Sequence, residues 1–454
     1  MNEHEYNPED RIAALATPWG TSAIAVIRTT GKDTIRHMDP LFRSRRPLRK
    51  AGSHTLSRGT LLDGPGGAPV DDVLAAVYRP PRSYTGEESV ELFVHGSPAG
   101  IERILGALEK AGFRQANRGE FTFRAFLNGK LDLTRAEAVH EVVTAKSAAA
   151  QTLALSRLSG AIAERIDDAK GRLLRLMGLI EVQLDYSEDE GEAEDRPVPL
   201  DEIDRVIDGI RRLSDTFTTG RVYREGIRIA LAGRTNAGKS SLFNLFLRED
   251  RSIVSEIHGT TRDYIESWIN LGGIPGILYD TAGMRTADHP LEAEGIRRTE
   301  QVVSGADVVL YLVDAAEGET GEDANRLEAL GERAVRVWNK IDAVAGEAPA
   351  GYFPVSAVTG EGFKEIEEEI IQRALGGARI DTGEPVIDSM RQKRLLDSAL
   401  EMLENARGGI QAGAPLDMIA PDVYEALQSL GEITGEVTRE DILDEIFSNF
   451  CVGK

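Results

Sequence analysis

The sequence predicts a multidomain chain of α/β plus α class. An N-terminal α+β region comes first, followed by a discontinuous helical region that receives an inserted α/β domain on a mostly parallel sheet. Three observations carry this. Residues 1–128 hold β-type apolar runs separated by turns. Residues 129–224, and again 377–454, are poor in breakers and apolar at helical spacing. Residues 225–376 alternate short apolar runs with helical stretches, the rhythm of a parallel sheet covered by helices.

In the first region Ala23–Ile27 and Val90–Val94 read as strands. The stretch Asp63-Gly64-Pro65-Gly66-Gly67 reads as a turn, and Ile101–Ala111 as an amphipathic helix closed by Gly112. Next, Ala136–Leu158 reads as one long helix and Ile162–Leu184 as another. The acidic run Asp185–Asp195, with Pro197 and Pro199, reads as a loop before a helix over Asp201–Phe217. The α/β region offers apolar runs at Ile227–Ala232, Ile277–Tyr279, Val308–Val313, Val335–Trp338 and Tyr352–Val355. The simplest arrangement packs the tail helices against the helices before the insertion.

Composition narrows the function. The chain has 454 residues, with 53 Lys and Arg against 75 Asp and Glu, a net charge of −22. That excludes a protein that coats nucleic acid by itself, because phosphate neutralisation needs clustered cations. The one basic cluster is Arg43, Arg45, Arg46, Arg49 and Lys50. It reads as a solvated loop, so any RNA contact is expected to fall largely on a partner. No run of about 18 apolar residues is present, so no membrane span is expected. The start is polar and acidic, unlike a secretory signal. The single cysteine, Cys451, rules out an internal disulfide framework and suits a reducing, cytoplasmic location.

The chemistry sits in the inserted region. Gly233-Arg234-Thr235-Asn236-Ala237-Gly238-Lys239-Ser240 fits the phosphate-loop pattern, after an apolar strand and before a helix that takes in Ser241. Glycines let backbone N–H groups curl around phosphates, and the helix start adds its positive dipole end. Lys239 is expected on the phosphate oxygens and Ser240 on Mg²⁺. Asp280-Thr281-Ala282-Gly283 follows at a strand end, where an Asp serves the Mg²⁺ shell and a Gly N–H senses the γ-phosphate. Asn339-Lys340-Ile341-Asp342 ends a further strand, and a carboxylate at Asp342 accepts from guanine N1 and N2. Ser356, Ala357 and Val358 then line the base. Ser255-Glu256-Ile257-His258-Gly259-Thr260-Thr261 occupies the first switch position. Thr261 completes the Mg²⁺ shell when GTP is bound, and His258 has no role of its own. Together these predict a Mg²⁺-dependent GTPase. Met284 follows Gly283, where many small GTPases carry a water-orienting Gln, so another group must do that work.

Three further segments are more specific than the nucleotide motifs: Thr85-Gly86-Glu87-Glu88-Ser89-Val90-Glu91-Leu92, Arg118–Leu133 with Ala136-Glu137-Ala138, and Phe447–Lys454. With them the chain resembles the MnmE/TrmE family of tRNA modification GTPases from its first strands to its last residue. The resemblance implies an N-terminal domain (1–128) that binds 5-formyl- or methylene-tetrahydrofolate and forms a homodimer. It also implies a helical domain in two parts (129–224 and 377–454) around a G domain (225–376). An FAD-dependent, MnmG-like partner in a heterotetramer is implied too, with tRNA as substrate. The implied product carries an aminomethyl or carboxymethylaminomethyl group at C5 of wobble uridine 34. By the same resemblance Arg28, Glu91, Lys130 and Lys454 contact folate. Asn236, Ser255, Ile257 and Thr260 hold an activating K⁺. Glu292 positions the attacking water, and Cys451 serves the modification. Thr235 departs from the family's usual proline, and a glycine expected near position 22 or 23 is absent. The competing expectation is an Era/EngA-like ribosome-assembly GTPase, which calls for a basic RNA-binding domain such as a KH fold.

Overall fold

The computed structural model describes residues 7, 9–186, 199–249, 266–279, 300–377, 384–437 and 440–454. It divides into two compact units: residues 1–143, 157–174 and 424–454 in one, and 144–156 and 175–423 in the other.

The first unit is built on a seven-stranded sheet. Its strands are β1 (Arg11–Leu15), β2 (Ser22–Thr30), β3 (Phe42–Ser44), β4 (Thr55–Leu62), β5 (Pro69–Tyr78), β6 (Ser89–Gly96) and β7 (Phe113–Gln115), in the order β3-β4-β5-β6-β2-β1-β7. Neighbours are antiparallel except β1 with β7. Alternate residues such as Ile27, Val73, Ala75, Val77, Val90, Leu92 and Val94 point into one core. They meet the short helix α1 (Thr34–Met38) through Ile35 and Met38, and α2 (Pro98–Lys110) through Ile101, Ile104 and Leu108. Helix α2 starts three residues before the expected Ile101, because Pro98 has the φ of a first helical turn and no N–H to satisfy. The Asp63–Gly67 turn joins β4 to β5, and Gly66 takes a left-handed φ of 70° there.

Helix α3 (Glu120–Leu127) lies on the other face of the sheet, where Phe121 packs on Ile12 and Ala14. The expected single helix over Ala136–Leu158 is two, α4 (Leu133–Thr144) and α5 (Ala148–Ser159). Ser147 breaks it: its Oγ accepts from the Ala150 N–H at 3.1 Å and restarts the helix as an N-cap. Gly160, at φ +106°, separates α5 from α6 (Ala161–Tyr186). Helix α4 carries Leu133, Ala136 and Val139 against Phe447 and Phe450 of the tail.

The second unit holds a six-stranded sheet. Its strands are β8 (Ile227–Gly233), β9 (Glu266–Leu271), β10 (Ile274–Tyr279), β11 (Val308–Asp314), β12 (Ala334–Asn339) and β13 (Phe353–Val355), in the order β13-β12-β11-β8-β10-β9. All pairs are parallel except β9 with β10. The edge strand β9 goes beyond the five runs read from the sequence. Helices α9 (Lys239–Glu249), α10 (Gly321–Leu330) and α11 (Phe363–Leu375) flank the sheet, and Leu242, Phe246, Phe363, Ile366 and Ile370 fill its core.

Before β8 come α7 (Leu200–Asp215) and α8 (Phe217–Glu225), the latter packed on β10. After the sheet come α12 (Met390–Gln411), α13 (Leu416–Thr434) and α14 (Glu440–Ser448). Helix α7 runs along α12, joined by Arg211–Glu404 at 2.5 Å and Arg407–Asp204 at 2.6 Å. The incoming and outgoing chains also cross closely. A Cβ on Gly220 of α8 would lie 2.1 Å from the Ile387 carbonyl, so only glycine fits. No helix among the described residues is long and apolar enough to cross a membrane.

Candidate functional site

The carboxyl ends of four strands share one edge of the second sheet. Pairing sets Leu312 beside Gly233, Asp314 beside Asn339, and Asn339 beside Val355. Crevices at such ends are where open parallel sheets take ligands. Gly233 ends β8 at φ +133°, and a Cβ there would sit 2.3 Å from the Leu312 carbonyl. The chain then turns through Asn236, left-handed at φ 65°, and α9 begins at Lys239. Free N–H groups of the loop and helix start therefore face the same space, the arrangement that favours an anion. The Lys239 ammonium lies buried inside the loop, donating to the Gly233 carbonyl at 2.9 Å and the Arg234 carbonyl at 2.6 Å. Asn236, Ser240 and Ser241 are exposed, open to a cation or phosphate.

Asn339 joins this loop to the base side of the site. Only 1% exposed, it donates from Nδ2 to the Ala237 carbonyl at 2.8 Å, and its Oδ1 accepts from the Ala357 N–H at 3.2 Å. Gly238 (φ +97°) must be glycine, because a Cβ would lie 2.0 Å from Asn339 Nδ2. Lys340 takes φ 70°, and its Nζ meets Asp314 Oδ2 at 2.6 Å. Burial pushes the Asp314 carboxyl up, but Lys340 and the Ala316 N–H outweigh it and hold the group below its ordinary value. Asp342 is exposed, with Oδ1 accepting from Ser356 Oγ at 2.5 Å. The buried Ser356 Oγ also accepts from the Val358 and Thr359 N–H groups, which shapes the loop beside that carboxylate. An oriented, exposed carboxylate next to backbone N–H groups suits a guanine edge with two donors. Asp314 was missed in the sequence. Its signal is the Val313-Asp314-Ala315 strand end, level with Asn339.

The other expected nucleotide residues lie outside the described residues: Ser255, Glu256, Ile257, His258, Gly259, Thr260, Thr261, Asp280, Thr281, Ala282, Gly283 and Glu292.

A second cluster forms in the first unit. Arg28 on β2 is level with Glu91 on β6, and Arg28 Nε meets Glu91 Oε1 at 2.8 Å. The Arg28 guanidinium lies 5.3 Å from the centre of the Tyr84 ring and 5.7 Å from that of Phe121, and donates to the Gly453 carbonyl at 3.2 Å. Tyr78 donates to Glu91 Oε2 at 3.3 Å. The tail is pinned there. Gly119 N–H donates to the Cys451 carbonyl at 3.5 Å and Phe121 N–H to the Lys454 oxygen at 3.2 Å, while Arg118 bridges Val452. Gly453, at φ +96°, passes so close to β1 that a Cβ would sit 2.6 Å from the Leu15 carbonyl. Burial, then the nearby Arg28 charge, push the Lys454 ammonium below its ordinary value. Cys451 is exposed.

Arg28, Glu91 and Lys454 thus come together. Lys130 does not join them in any hydrogen bond; its Nζ donates to the Pro81 carbonyl at 3.0 Å. The rings beside Arg28, the partly exposed Tyr84 and the buried Phe121, were missed, although both lie in or beside the segments that carry the family resemblance. Those segments also lock together: Arg124, fully buried, meets Glu120 at 2.9 Å and Glu87 at 3.2 Å, and Asn128 donates to the Thr85 carbonyl at 2.8 Å.

A phosphate loop at a parallel-sheet edge, tied by Asn339 to a base-side carboxylate, defines a P-loop GTPase. A family model described as the MnmE helical domain matches residues 133–451, and one described as the GTP-binding protein TrmE N-terminus matches 11–130. Among relatives, the tRNA modification GTPase MnmE of Carboxydothermus hydrogenoformans is 39% identical over 98% of this chain and 100% of that one. The protein of the same name from Symbiobacterium thermophilum is 41% identical over the same shares. The chain belongs to the MnmE family of tRNA modification GTPases. Among solved structures, the G domain of the T. maritima FeoB iron transporter matches at 23% identity over 33% of this chain and 98% of that one. Its TM-score of 0.26 adds nothing to the fold described above.

Proposed function

We propose that this chain hydrolyses GTP to drive modification at C5 of wobble uridine 34 in certain tRNAs, with an FAD-dependent partner protein. The group added is aminomethyl or carboxymethylaminomethyl. The division into residues 1–128, 129–224, 225–376 and 377–454 follows from the same proposal. The observation that carries it is the coexistence of two sites in one chain: the guanine-nucleotide edge, and the Arg28–Glu91–Lys454 cluster closed by the tail.

The residues fit the groups the family implies. Gly233 and Gly238 leave no room for a Cβ, and the exposed Ser240 and Asn236 supply oxygen donors suited to Mg²⁺ and K⁺. When bound, these cations offset charge developing on the phosphates. Lys239 binds the same oxygens, and Asp342 selects the base. Glu292 orients water, and Thr261 closes over the metal. In the tail cluster burial, then the nearby Arg28 charge, disfavour the Lys454 ammonium, and an anionic ligand relieves the repulsion from Arg28. Glu91 accepts from ring N–H donors while the partly exposed Tyr84 gives a flat wall, and this donor set suits a reduced folate, which supplies a one-carbon unit. Exposed Ile24 (62%), Leu56 (63%) and Leu74 (42%) on the first sheet support pairing of two copies.

The Era/EngA-like alternative has less support. The named elements after the inserted sheet are helices, with no KH-type strands among the described residues. Mass analysis of tRNA from a deletion strain tests the proposal. Wild-type gene must restore the C5 group and Arg28→Ala must not. A normal wobble uridine in the deletion strain overturns it. Glu292→Ala is expected to keep GTP binding and lose most hydrolysis; retained turnover removes Glu292 from its role. Hydrolysis is expected to run faster in K⁺ than in Na⁺ at equal ionic strength, and equal rates would remove the cation site.

A further inference from the structure

We infer that the rim of the first sheet around its β3 edge is a docking surface for an RNA phosphate backbone. The inference rests on the tRNA reading above and gives that substrate a place on this chain.

The rim is basic in an acidic protein. Between Arg36 and Lys50 lie six Lys or Arg, namely Arg36, Arg43, Arg45, Arg46, Arg49 and Lys50, against a single acid, Asp39. Elsewhere arginines are commonly ion-paired, as Arg28, Arg114, Arg124, Arg211, Arg221 and Arg373 are. Here only Arg49 is paired, with Asp39 at 3.4 Å. Arg36, Arg43, Arg45, Arg46 and Lys50 are exposed and have no ion-pair partner among the described residues.

The structure sets part of this cluster against α1, which carries Arg36. The turn of 3-10 helix at Leu48–Lys50 packs on α1, and the Arg49 N–H donates to Asp39 Oδ1 at 3.3 Å, which folds the strand-to-turn connection back. Helix α1 also gives Arg36 and His37 to the wall of a cavity of about 430 Å³, lined besides by Pro40, Leu41, Pro65 and Lys110. No carboxylate lines it. His37 Nδ1 lies 3.2 Å from the Ala111 carbonyl, which leaves the rest of the imidazole toward the cavity wall.

Two simpler explanations cover part of this. Arg36, His37 and Lys110 stand in the last turns of α1 and α2, where cations complement a helix dipole. Charges on an edge strand also discourage pairing with another sheet. Neither explains Arg45, Arg46 and Lys50, which follow the three-residue strand β3 and lie outside both helices. Unpaired exposed arginines beside a cationic hollow match what phosphates require: fork-shaped donors and no competing acid.

The test is binding of an in-vitro transcribed tRNA to the full chain, followed across a salt series. The proteins are wild type, R45Q/R46Q, and Arg36→Gln as a second probe on the cavity side. None of these residues belongs to the nucleotide or tail site, so GTP hydrolysis without tRNA is expected unchanged in all three. The double variant is expected to bind about ten-fold more weakly near physiological salt, with a log–log salt slope shallower by roughly 1–2. Arg36→Gln should lose less but shift the slope in the same direction. Wild-type binding with unchanged affinity and slope in both variants overturns the docking surface while leaving the modification proposal standing. Greater self-association with unchanged tRNA binding overturns it in favour of edge protection. Loss of an acidic protein partner with tRNA binding intact overturns it in favour of a protein interface. If wild type binds no tRNA, alone or with its partner protein, both this inference and the tRNA reading fail.

Discussion

Asn339 is the joint between the two halves of the nucleotide site, and Asn339→Ala tests that joint. The substitution removes the bond to the Ala237 carbonyl (2.8 Å) and the bond from the Ala357 N–H (3.2 Å). Both belong to a side chain that is 1% exposed, so water does not replace it directly. At about 1–1.5 kcal/mol for each buried bond, the loss is about 2–3 kcal/mol. Ala357 is only half-buried, and solvation of its N–H favours the lower figure. If the loss falls on the organised site, affinity for guanine nucleotide drops roughly 30- to 150-fold. Titration of a fluorescent GDP analogue into the full chain measures this, and urea melts of the same samples separate binding from unfolding. An affinity within three-fold of wild type, with the melt unchanged, would refute the claim that Asn339 couples the phosphate loop to the base loop.

Three further outcomes follow from the first unit. Arg124→Ala leaves Glu120, itself 6% exposed, with less of its compensation. Breaking such a buried pair costs about 3–5 kcal/mol, so thermal melting should fall by many degrees, and a melt within two degrees of wild type contradicts it. Burial pushes the Glu120 carboxyl up, but Arg114, the Asn117 N–H and Arg124 outweigh it, so its folded value is depressed. Its stabilisation is therefore full above the ordinary carboxylate range and fades as pH falls through the folded value; Glu120→Gln should flatten the acid limb of stability against pH, and an unchanged limb argues against it. Gly453→Ala forces a Cβ against the Leu15 carbonyl and should free the tail from Arg28. Binding of 5-formyltetrahydrofolate should weaken at least ten-fold while GTP hydrolysis stays within two-fold, and unaltered folate binding separates the tail from that site.

Much of this is legible in the sequence, for physical reasons that differ by element. The second sheet was legible because its parallel strands are buried on both faces and read as continuous apolar runs, as Val308–Val313 does. Strand β9 was not, because Glu266, Trp268 and Asn270 alternate with buried Ile269 and Leu271 on an edge, and only Gly272-Gly273 marks the hairpin. The long helix over Ala136–Leu158 failed at Ser147. Composition there is helical throughout, and a single hydroxyl capping Ala150 interrupts it. In the nucleotide site, motif residues carry their own chemistry and spacing. Asp314 does not, since its place is set by the register of β11 against β12. The tail cluster depends on contacts more than 400 residues apart in sequence, such as Arg28 with Gly453. No local pattern encodes these, and family resemblance alone indicated them. Lys130, indicated by the same resemblance, donates from its ammonium to the Pro81 carbonyl.

The proposed GTP-driven function rests most directly on the proposal that Asp342 selects the base over a phosphate loop centred on Lys239. Isothermal titration of GTP and of ATP into the nucleotide-free full chain with Mg²⁺ measures it directly. GTP should bind with saturable heat near one site per chain, and ATP should give none at the same concentrations. No heat from GTP, or equal uptake of ATP, would contradict it.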